Sequence, residues 1–469
     1  MKYKILLKQH IGAPCTSTVK EGQRVKRGAL IASPTGLGAP IHSPFSGTVD
    51  SVSDEAIFIE ADETQSEEYE KISGENVTDL LAASGAVGMG GAGFPTHIKC
   101  NVDLKGGYIL VNAAECEPLL GHNIAQLESN LEKTLEGLKI LMKHCNAAEG
   151  IFAIKAKHEK AVAILDKALK DEKSIKYHLL PDLYPMGEER AVVREVLGKL
   201  LLPTDLPSAA DAVVINAETV LRVAEAVNDK RPVITKNVSV AGKLKKGKDT
   251  QVFMNVPIGT TVGRLIEMAG GIDGEYGEII MGGPFTGHSV DPDTPITKTT
   301  GGIIVTDAFE DLSGKRVGLL LCACGGNEER MREIAGRMNG TVGLIQKCKQ
   351  AVEVKGTLKC ENPGNCPGQA EKCLNFKKDG CTDILIGNCS DCTNTVMGSA
   401  PKLGLTVHHQ TDHVMDTVGH ERMRHLTKSK QVQADITSSG DYEMTRIIEG
   451  GMLKIRIKEG KNIHIELPC

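Results

Sequence analysis

A glycine-rich stretch near residue 90 constrains the fold of this chain more than any other feature. Gly88, Gly90, Gly91 and Gly93 fall within six positions, where a side chain on any of them would keep another molecule away from the backbone. Such a run turns several backbone N–H groups toward one point and forms a nest for an anion, with phosphate or pyrophosphate as the natural guest. No obvious strand precedes the run, so the dinucleotide-binding fingerprint that joins a strand to a helix is disfavoured. A flexible glycine loop without a ligand is the alternative.

The rest of the sequence indicates a globular protein with several domains. Its 469 residues exceed one ordinary core, its composition is 41% hydrophobic and 25% charged, and no apolar run approaches the roughly 18 residues of a membrane helix. The N-terminal residues lack the apolar core and cleavage site of a secretory signal peptide, so we expect a cytoplasmic protein. A net charge of -5 with mixed signs along the chain gives no electrostatic footprint for nucleic acid.

Hydrophobic periodicity and turn residues divide the chain into segments of α/β and β character. Residues 1–62 consist of short strand patterns, residues 71–230 alternate strands with helices, and residues 231–305 form a β-rich segment with one helix. Residues 315–430 hold most of the cysteines, and residues 431–469 predict a C-terminal β-hairpin tail.

The cysteine-rich segment predicts two strand–helix–strand units. The predicted strands and helices, in chain order, are Val317 to Leu321, Glu328 to Met338, Val342 to Ile345, Ile384 to Ile386, Val396 to Lys402 and Leu405 to His408.

Several motifs in one order resemble a known flavoprotein family. The glycine run continues to Phe94 and Lys99, and it is followed by the strings L-V-N-A-A-E-C-E-P from Leu110, Y-P-M-G-E-E-R from Tyr184 and V-I-N-A-E-T from Val214. This order resembles the FMN and NADH site of RnfC subunits and of the flavin-bearing subunit of respiratory complex I, over about residues 1 to 305. The resemblance implies an N-terminal biotinyl/lipoyl-like barrel-sandwich hybrid domain, an FMN-binding α/β domain and an SLBB-like β-grasp domain.

The resemblance also implies FMN and NADH as cofactors and gives individual residues a role. The glycines would cradle the flavin and the nicotinamide nucleotide, and Lys99 would lie near the flavin phosphate or ring. Phe94 would stack on the NADH adenine, while Asn112 and Asn216 would hydrogen-bond the flavin. The remaining residues implied at the nucleotide site are Glu115, Glu117, Gly187, Glu188 and Glu189.

Two positions depart from the complex I pattern. Met89 stands where the complex I subunit has Arg, and Ala114 stands where it has Asp, although the Rnf-type pattern accepts small residues at the second position. Both departures concern the NADH side of the implied site more than the FMN side.

Nine cysteines lie between Cys322 and Cys392. In a long chain without an export signal, such a density indicates thiol chemistry or metal binding rather than disulfides. The spacing does not match the C-x-x-C-x-x-C-x-x-x-C-P cassette that holds a [4Fe-4S] cluster in ferredoxins.

Three interpretations of this region stay open. An iron-sulfur cluster with unusual spacing would draw its ligands from Cys360, Cys366, Cys373, Cys381, Cys389 and Cys392. A redox dithiol would use Cys322 and Cys324 as catalytic thiols, because they stand at a strand end before a helix, whose N-terminus favours a thiolate. A structural zinc site is the third interpretation, since zinc accepts paired thiolates.

A flavin-bearing front half joined to a cysteine-rich region without ferredoxin cassettes resembles the proline reductase-associated electron transfer proteins (PrdC) of amino-acid-fermenting anaerobes. The resemblance implies an oxidoreductase that takes electrons from NADH through FMN and the cysteine-rich module to a partner reductase, namely D-proline reductase. The alternative is an adaptor subunit that docks on an Rnf-type membrane complex and has no NADH oxidation of its own.

Overall fold

The chain divides into two units in the computed structural model, Met1–Met423 and Arg424–Cys469. The structure describes residues 1–423 in full and, in the second unit, only the backbone of three strands.

Short antiparallel strands build the first domain from two small sheets. The strands are β1 (Lys2–Leu6), β2 (Thr16–Ser17), β3 (Arg24–Val25), β4 (Leu30–Ser33), β5 (Ile41–His42), β6 (Gly47–Val52) and β7 (Ala56–Ala61). The sheet orders are β1-β7-β6-β3 and β2-β4-β5, and alternate side chains such as Ile31, Ile57 and Ile59 fill one core between them. This arrangement agrees with the expected barrel-sandwich hybrid.

A parallel sheet covered by helices forms the second domain. Its elements are α1 (Val77–Ser84), α2 (Thr96–Lys99), β8 (Gly107–Ala113), α3 (His122–His144), β9 (Ala147–Lys155), α4 (Glu159–Leu169), β10 (Ile175–Leu180), α5 (Glu189–Leu197), β11 (Ala212–Asn216) and α6 (Ala217–Ala224). The sheet order is β10-β9-β8-β11, with every neighbouring pair parallel. Its strands are nearly continuous apolar runs because helices cover both faces.

The third domain is a mixed sheet with one helix. Its elements are β12 (Thr235–Gly242), β13 (Gln251–Pro257), α7 (Val262–Met268), β14 (Glu278–Met281), β15 (His288–Ser289) and β16 (Gly302–Thr306). The sheet order is β13-β12-β16-β14-β15, and α7 packs its apolar face on it through Val262, Leu265 and Ile266. The β-rich pattern with one helix is therefore observed, whereas the SLBB-like identity stays a prediction.

The fourth domain contains a second parallel sheet. Its elements are β17 (Arg316–Leu321), α8 (Glu328–Arg337), β18 (Thr341–Lys347), β19 (Ala351–Val354), β20 (Thr357–Cys360), α9 (Ala370–Lys378), β21 (Asp383–Ile386), α10 (Ser390–Ser399), β22 (Thr406–His409) and α11 (Asp412–Val418). The parallel order is β18-β17-β21-β22, and β19 and β20 form a separate hairpin.

The second strand–helix–strand prediction was wrong about where the helix begins. Helix α10 starts at Ser390 rather than Val396, which places Cys392 in its first turn. The early positions of this helix are small and polar, so apolar periodicity in the sequence begins only at Val396. The hairpin β19–β20 and helix α9 were not predicted.

The second unit is a three-stranded antiparallel sheet, with strands β23 (Glu443–Glu449), β24 (Met452–Lys458) and β25 (Ile465–Pro468). Strands β24 and β25 pair as the predicted hairpin does, and β23 adds a strand that was not predicted. The rest of the 431–469 prediction lies outside the described residues. None of the helices in the described part of the chain is long and apolar enough to cross a membrane.

Candidate active site

Two asparagines mark the centre of one edge of the first parallel sheet. Strands β9 and β11 flank β8 on opposite sides, so the strand order reverses between β8 and β11. Ligands of such sheets bind in the crevice outside the carboxyl ends of the strands at this reversal. Asn112 and Asn216 are register partners there, which places both predicted flavin contacts side by side.

Local hydrogen bonds fix the two asparagines. The Asn112 amide nitrogen donates to the carbonyl oxygen of Gly187 at 2.8 Å. The Asn216 amide oxygen accepts from the backbone N–H groups of Glu218 and Thr219 at 2.9 and 3.4 Å, so this residue caps α6. Both side chains are therefore held in place before any ligand arrives.

The glycine run lies against Asn216. A Cβ on Gly90 would be 2.4 Å from Nδ2 of Asn216, whereas a Cβ on Gly91 would meet nothing within 4 Å. Both glycines are exposed. Gly90 is therefore needed for the close approach of the loop, and Gly91 borders open space that a ligand can enter.

Three domains hold this loop. Lys298, from the third domain, is fully buried and donates to the carbonyl oxygens of Gly85 at 2.8 Å and of Pro40, in the first domain, at 2.6 Å. Burial lowers the pKa of Lys298 to about 7. Gly93, with φ of +73°, packs against His10 of the first domain.

The remaining residues of the glycine motif have different surroundings. Lys99 forms an ion pair with Glu189 at the start of α5. The Phe94 ring is half-buried, and the backbone N–H of Gly88 donates to the Phe94 carbonyl oxygen at 2.9 Å. Met89 is fully buried in a small apolar cluster, so the position that carries Arg in complex I points into the core here. Stacking of Phe94 on adenine stays a prediction.

The carboxylates predicted at the nucleotide site are engaged within the protein. Glu115 accepts from the backbone N–H of Asn123 at 2.9 Å. Glu117 accepts from the backbone N–H groups of Phe285 and Thr286 at 2.8 and 3.0 Å and from the Thr286 hydroxyl at 2.7 Å, and burial raises the pKa of Glu117. Glu117 thus ties the second domain to the third.

Helix α5 turns toward the cysteine-rich domain. Glu188 caps this helix, accepting from the backbone N–H groups of Arg190 and Ala191 at 2.9 and 3.0 Å. The buried Arg190 guanidinium keeps one nitrogen, Nη1, without a hydrogen-bond partner within residues 1–423. The hydrogen bond with Cys324 lowers the pKa of the Cys360 thiol, and the charge of Arg190 adds to this effect.

The second parallel sheet gathers cysteines at its own carboxyl edge. Its strand order reverses between β17 and β21. Cys322 and Cys324 follow β17, Cys348 follows β18, and Cys389 and Cys392 follow β21. The thiols therefore collect at the position where sheets of this kind bind ligands.

Hydrogen bonds sort most of these thiols into two groups. Cys324 contacts Cys322 and Cys360, and Cys392 contacts Cys348 and Cys366. We call them the inner group (Cys322, Cys324 and Cys360) and the outer group (Cys348, Cys366 and Cys392). The hydrogen bond with Cys392 lowers the pKa of Cys348 to about 7 and that of Cys366 to about 6.

Cys389 lies between the two groups. The electrostatic neighbours of its thiol include Cys322 and Cys360 of the inner group and Cys366 of the outer group. Burial raises the pKa of Cys389, and these neighbouring thiols add to the increase.

Two of the cysteines predicted as cluster ligands lie elsewhere, so the six-thiol ligand set is corrected. Cys373 is fully buried on α9 in the hydrophobic core. Cys381 precedes β21, at the opposite end of that strand from Cys389, and contacts Asp379. Among the described side chains, no three His, Cys, Asp or Glu residues are arranged to hold a metal ion.

The segment from Tyr184 to Gly187 joins the two carboxyl edges. The Tyr184 hydroxyl donates to the carbonyl oxygen of Cys324, and the Tyr184 backbone exchanges hydrogen bonds of 3.0 and 3.1 Å with Ser390. The Gly187 backbone N–H donates to Sγ of Cys116 at 3.3 Å. The flavin motif and the inner group are thus separated by one short stretch of chain.

Burial shapes the chemistry of this bridge. The Tyr184 ring stacks on Phe285 at 3.7 Å between centroids, and burial raises the pKa of Tyr184 well above its usual value. Burial also raises the pKa of Cys116 to about 11. Both groups are therefore neutral at physiological pH.

Sequence reasoning missed several residues of this region. Tyr184 and Arg190 belong to a recognised string, yet nothing local assigns them to the thiol side. Cys348 was in neither predicted set, although its place directly after a buried strand is a usable signal. Gln369, whose amide contacts two thiols, carries no signal in the sequence.

Comparison with known families and proteins matches the front half of the chain. Residues 81–225 match the Nuo51 FMN-binding domain, and residues 1–66 match the RnfC barrel sandwich hybrid domain. The prediction of an FMN-binding domain behind a barrel-sandwich hybrid is confirmed.

Curated relatives extend this similarity. The RnfC-type subunit of the proton-translocating ferredoxin:NAD(+) oxidoreductase complex of Clostridium ljungdahlii is 32% identical over 343 residues, covering 68% of this chain and 74% of that protein. The corresponding subunit of the Na(+)-translocating complex of Acetobacterium woodii is 30% identical over 316 residues, covering 63% and 71%. The cobalamin reductase PduS of Salmonella typhimurium is 34% identical over 247 residues, covering 52% and 53%. The chain thus spans about half the length of the cobalamin reductase.

Proposed function

Because the chain belongs to the RnfC family of ion-translocating ferredoxin:NAD(+) oxidoreductase subunits, we propose that it takes a hydride from NADH onto FMN and passes the electrons to the thiols of its fourth domain. Bound FMN would accept the hydride and release electrons singly or in pairs. The protein's own residues hold the flavin, exclude water and provide the outlet.

The observation that carries this proposal is the Tyr184 to Gly187 bridge. Gly187 contacts Asn112 at the flavin edge, and Tyr184 contacts Cys324 of the inner group. Three peptide units separate the Cα atoms of Tyr184 and Gly187 by at most about 11 Å, and the Tyr184 side chain spans the remaining distance to Cys324. Cys116 and the stacked rings of Tyr184 and Phe285 keep the space between them apolar.

The residues present fit FMN. Asn112 and Asn216 offer amide groups at the strand reversal, and Gly90 leaves a space beside Asn216 that a Cβ would fill. Lys99, partly exposed and paired with Glu189, would supply the positive charge for a phosphate. These residues would hold the flavin, and NADH would enter over the exposed Gly91.

Anaerobically purified protein tests the electron path. NADH should bleach the flavin spectrum, and thiols that have been oxidised beforehand should then reappear in a labelling assay. The double variant Cys322→Ser/Cys324→Ser should still bleach but should not regenerate thiols. Cys381→Ala, which removes a thiol at the far end of β21, is the matched control. Absence of flavin after anaerobic reconstitution would refute the proposal.

The chemical form of the outlet follows from an inventory of iron, sulfide, zinc and flavin on the same sample. An iron-sulfur cluster would require the thiols at this edge to move together, since no three of the described side chains are arranged to hold a metal ion. The pair Cys322 and Cys324 is the dithiol candidate. Iron with sulfide would indicate one-electron transfer through a cluster. Protein without iron or zinc would indicate the dithiol, and zinc without iron would indicate a structural site.

The resemblance to proline reductase-associated proteins makes D-proline reductase the partner to test first. We propose that the reduced thiol region delivers its electrons to this reductase. A coupled assay with NADH, this protein and the purified reductase should reduce D-proline, and omission of any component should abolish the reduction.

A second candidate function is an adaptor that docks on an Rnf-type membrane complex without oxidising NADH. The observation that favours it is Glu117, whose carboxylate is bound to Phe285 and Thr286 and is not available to a ribose hydroxyl. Stoichiometric FMN without NADH-dependent bleaching, together with co-purification of membrane subunits, would select this function.

A further inference from the structure

The outer group is built from separate elements that converge on α10. Cys392 lies in the first turn of this helix, and Cys366 lies in the loop before α9. The Cys366 backbone N–H donates to the Asp391 carboxylate at 2.7 Å, and its Sγ is 3.1 Å from the Thr395 hydroxyl. These contacts hold the Cys366 thiol against that of Cys392, with which it shares a hydrogen bond.

A set of donors surrounds the sulfur atoms. The backbone N–H of Gly368 and the side-chain amide of Gln369 donate to Cys366 at 3.3 and 3.4 Å. The same Gln369 amide donates to Cys348 at 3.1 Å, and Asn388 donates to Cys392 at 2.8 Å. Donors to sulfur stabilise it as an anion, which is the attacking and the leaving form in thiol exchange.

Gln369 shows that this set has an energetic cost. Its side chain is fully buried, and its amide oxygen has no hydrogen-bond partner within residues 1–423. A buried acceptor without a hydrogen-bond partner destabilises the folded state. The folded state keeps this unsatisfied oxygen while the amide nitrogen donates to two thiols.

The three thiols differ in access. Cys366 is partly exposed and precedes the exposed Pro367, whereas Cys392 and Cys348 are 1% and 8% exposed. An external molecule can therefore reach one thiol, and two protected thiols stand directly behind it. This is the arrangement of an attacking thiol with resolving thiols.

We propose that the outer group is a thiol–disulfide exchange centre that reduces an external disulfide, with Cys366 as the attacking thiol and Cys392 as the resolving thiol. Its substrate class is a disulfide, carried either by a partner protein or by a small molecule. The inference rests on the proposed function only for the source of the electrons.

The exchange balances in two steps. The Cys366 thiolate attacks one sulfur of the substrate, forming a mixed disulfide and releasing the other sulfur as a thiolate, which takes a proton. The Cys392 thiol then loses its proton and attacks Sγ of Cys366, which releases the second substrate sulfur as a thiol. The substrate disulfide gains two electrons and two protons, and Cys366 and Cys392 become a disulfide.

Cys348 returns the outer group to its starting state. Its thiolate attacks Sγ of Cys392, so the disulfide moves to Cys348 and Cys392 and Cys366 leaves as a thiolate. Cys348 is an electrostatic neighbour of Cys360 of the inner group, and Cys360 pairs with Ala351 in the hairpin that follows Cys348. This transfer therefore carries the disulfide toward the flavin side. The Cys360 thiolate then attacks Sγ of Cys348, which releases Cys392, and the Cys324 thiol loses its proton and attacks Sγ of Cys360, which releases Cys348. Cys348 and Cys392 each take a proton, and Cys324 and Cys360 become the disulfide. The proposed NADH oxidation supplies the two electrons that reduce it.

Trapping of the mixed disulfide tests the proposal without NADH. Anaerobic full-length protein is reduced with dithiothreitol, desalted and treated with glutathione disulfide. Wild type should release glutathione, and Cys348→Ser, which cannot pass the disulfide onward, should show a disulfide between Cys366 and Cys392 in peptide mapping. Cys392→Ser should instead retain glutathione on Cys366, and Cys366→Ser should retain none. Cys373→Ala, which removes a core thiol, should behave as wild type.

The other outcomes overturn the proposal. Exchange at this site is excluded if Cys366 of the wild-type protein neither reacts with glutathione disulfide nor forms a disulfide. It is also excluded if bound iron protects Cys366. Neither result depends on a variant. A disulfide-containing protein in place of glutathione disulfide distinguishes the two sources of substrate. Exchange in dithiothreitol-reduced protein without any NADH-dependent bleaching of the flavin would refute the proposed function and leave this inference standing. NADH-dependent bleaching without exchange at Cys366 would refute only the inference.

Discussion

Gly90 offers a direct test of the flavin edge. A methyl group at this position would lie 2.4 Å from Nδ2 and 2.9 Å from Cγ of Asn216, far inside any normal contact. In Gly90→Ala, Asn216 must rotate away, and its amide oxygen then leaves the N–H groups of Glu218 and Thr219. Loss of a helix N-cap costs about 1 kcal/mol.

The matched control is the next residue. A Cβ on Gly91 meets nothing within 4 Å, and neither glycine has a positive φ. Gly91→Ala therefore adds the same atom to the same loop without moving Asn216. In the flavin-free protein, we expect this variant to leave α6 unchanged.

Hydrogen exchange is the assay, because it reports on the cap itself. A loss of about 1 kcal/mol should speed exchange of the Glu218 and Thr219 amides about fivefold in Gly90→Ala and leave Gly91→Ala at the wild-type rate. Loss of one flavin hydrogen bond, about 1 kcal/mol, should weaken FMN binding by a similar factor in Gly90→Ala. If these amides exchange at the wild-type rate in Gly90→Ala, Asn216 does not cap α6 against this loop, and the reasoning fails.

Three further outcomes are expected. Lys236→Met leaves the fully buried Glu218 without one partner and should destabilise the protein by about 3 kcal/mol. Lys243→Met, at the partly exposed pair with Asp307, should cost less than about 1 kcal/mol in the same thermal unfolding series, and equal losses would contradict this. Burial opposes ionisation of Glu278, but His413 and Arg330 outweigh it and lower the pKa of Glu278 to about 2. About 3 kcal/mol of stability, present above pH 4.5, should therefore be lost as the pH falls toward 2. An acid unfolding curve that is unchanged in Glu278→Gln would refute this. Cys366, with its pKa near 6, should react with iodoacetamide with a midpoint near pH 6 rather than about 8.5, and a midpoint at the ordinary value would refute its assignment as a stabilised thiolate.

The flavin edge was largely predictable because its signals are local. Asn112 and Asn216 end apolar strand runs, and the glycine run is explicit in the sequence. Their meeting requires only that β8 and β11 be neighbours in a parallel sheet, and recognised strings imply that fold. Lys298, in contrast, reaches the loop from more than 200 positions away, and no periodicity marks a lysine that will be fully buried.

The thiol sites were less predictable because the density of cysteines along the sequence does not reveal the order of the strands in the sheet. Cys373 and Cys381 were grouped with the other cysteines by proximity in sequence, but α9 turns one into the core and β21 carries the other to the opposite edge. Cys348 was left out, although it follows a strand that neighbours β17. Only the order β18-β17-β21 distinguishes these cases, and that order depends on contacts between distant segments.

The buried Lys298 ammonium has a consequence for biosynthesis. Its partners are Pro40, in the first domain, and Gly85, three residues before the glycine run. The start of the loop therefore reaches its final form only after residue 298 has left the ribosome and the third domain has begun to fold. Flavin retention should therefore appear late in translation, as a property of the assembled front half rather than of residues 81–225 alone. A nascent chain arrested before this lysine would carry every predicted flavin contact and still lack the clamp that holds them together.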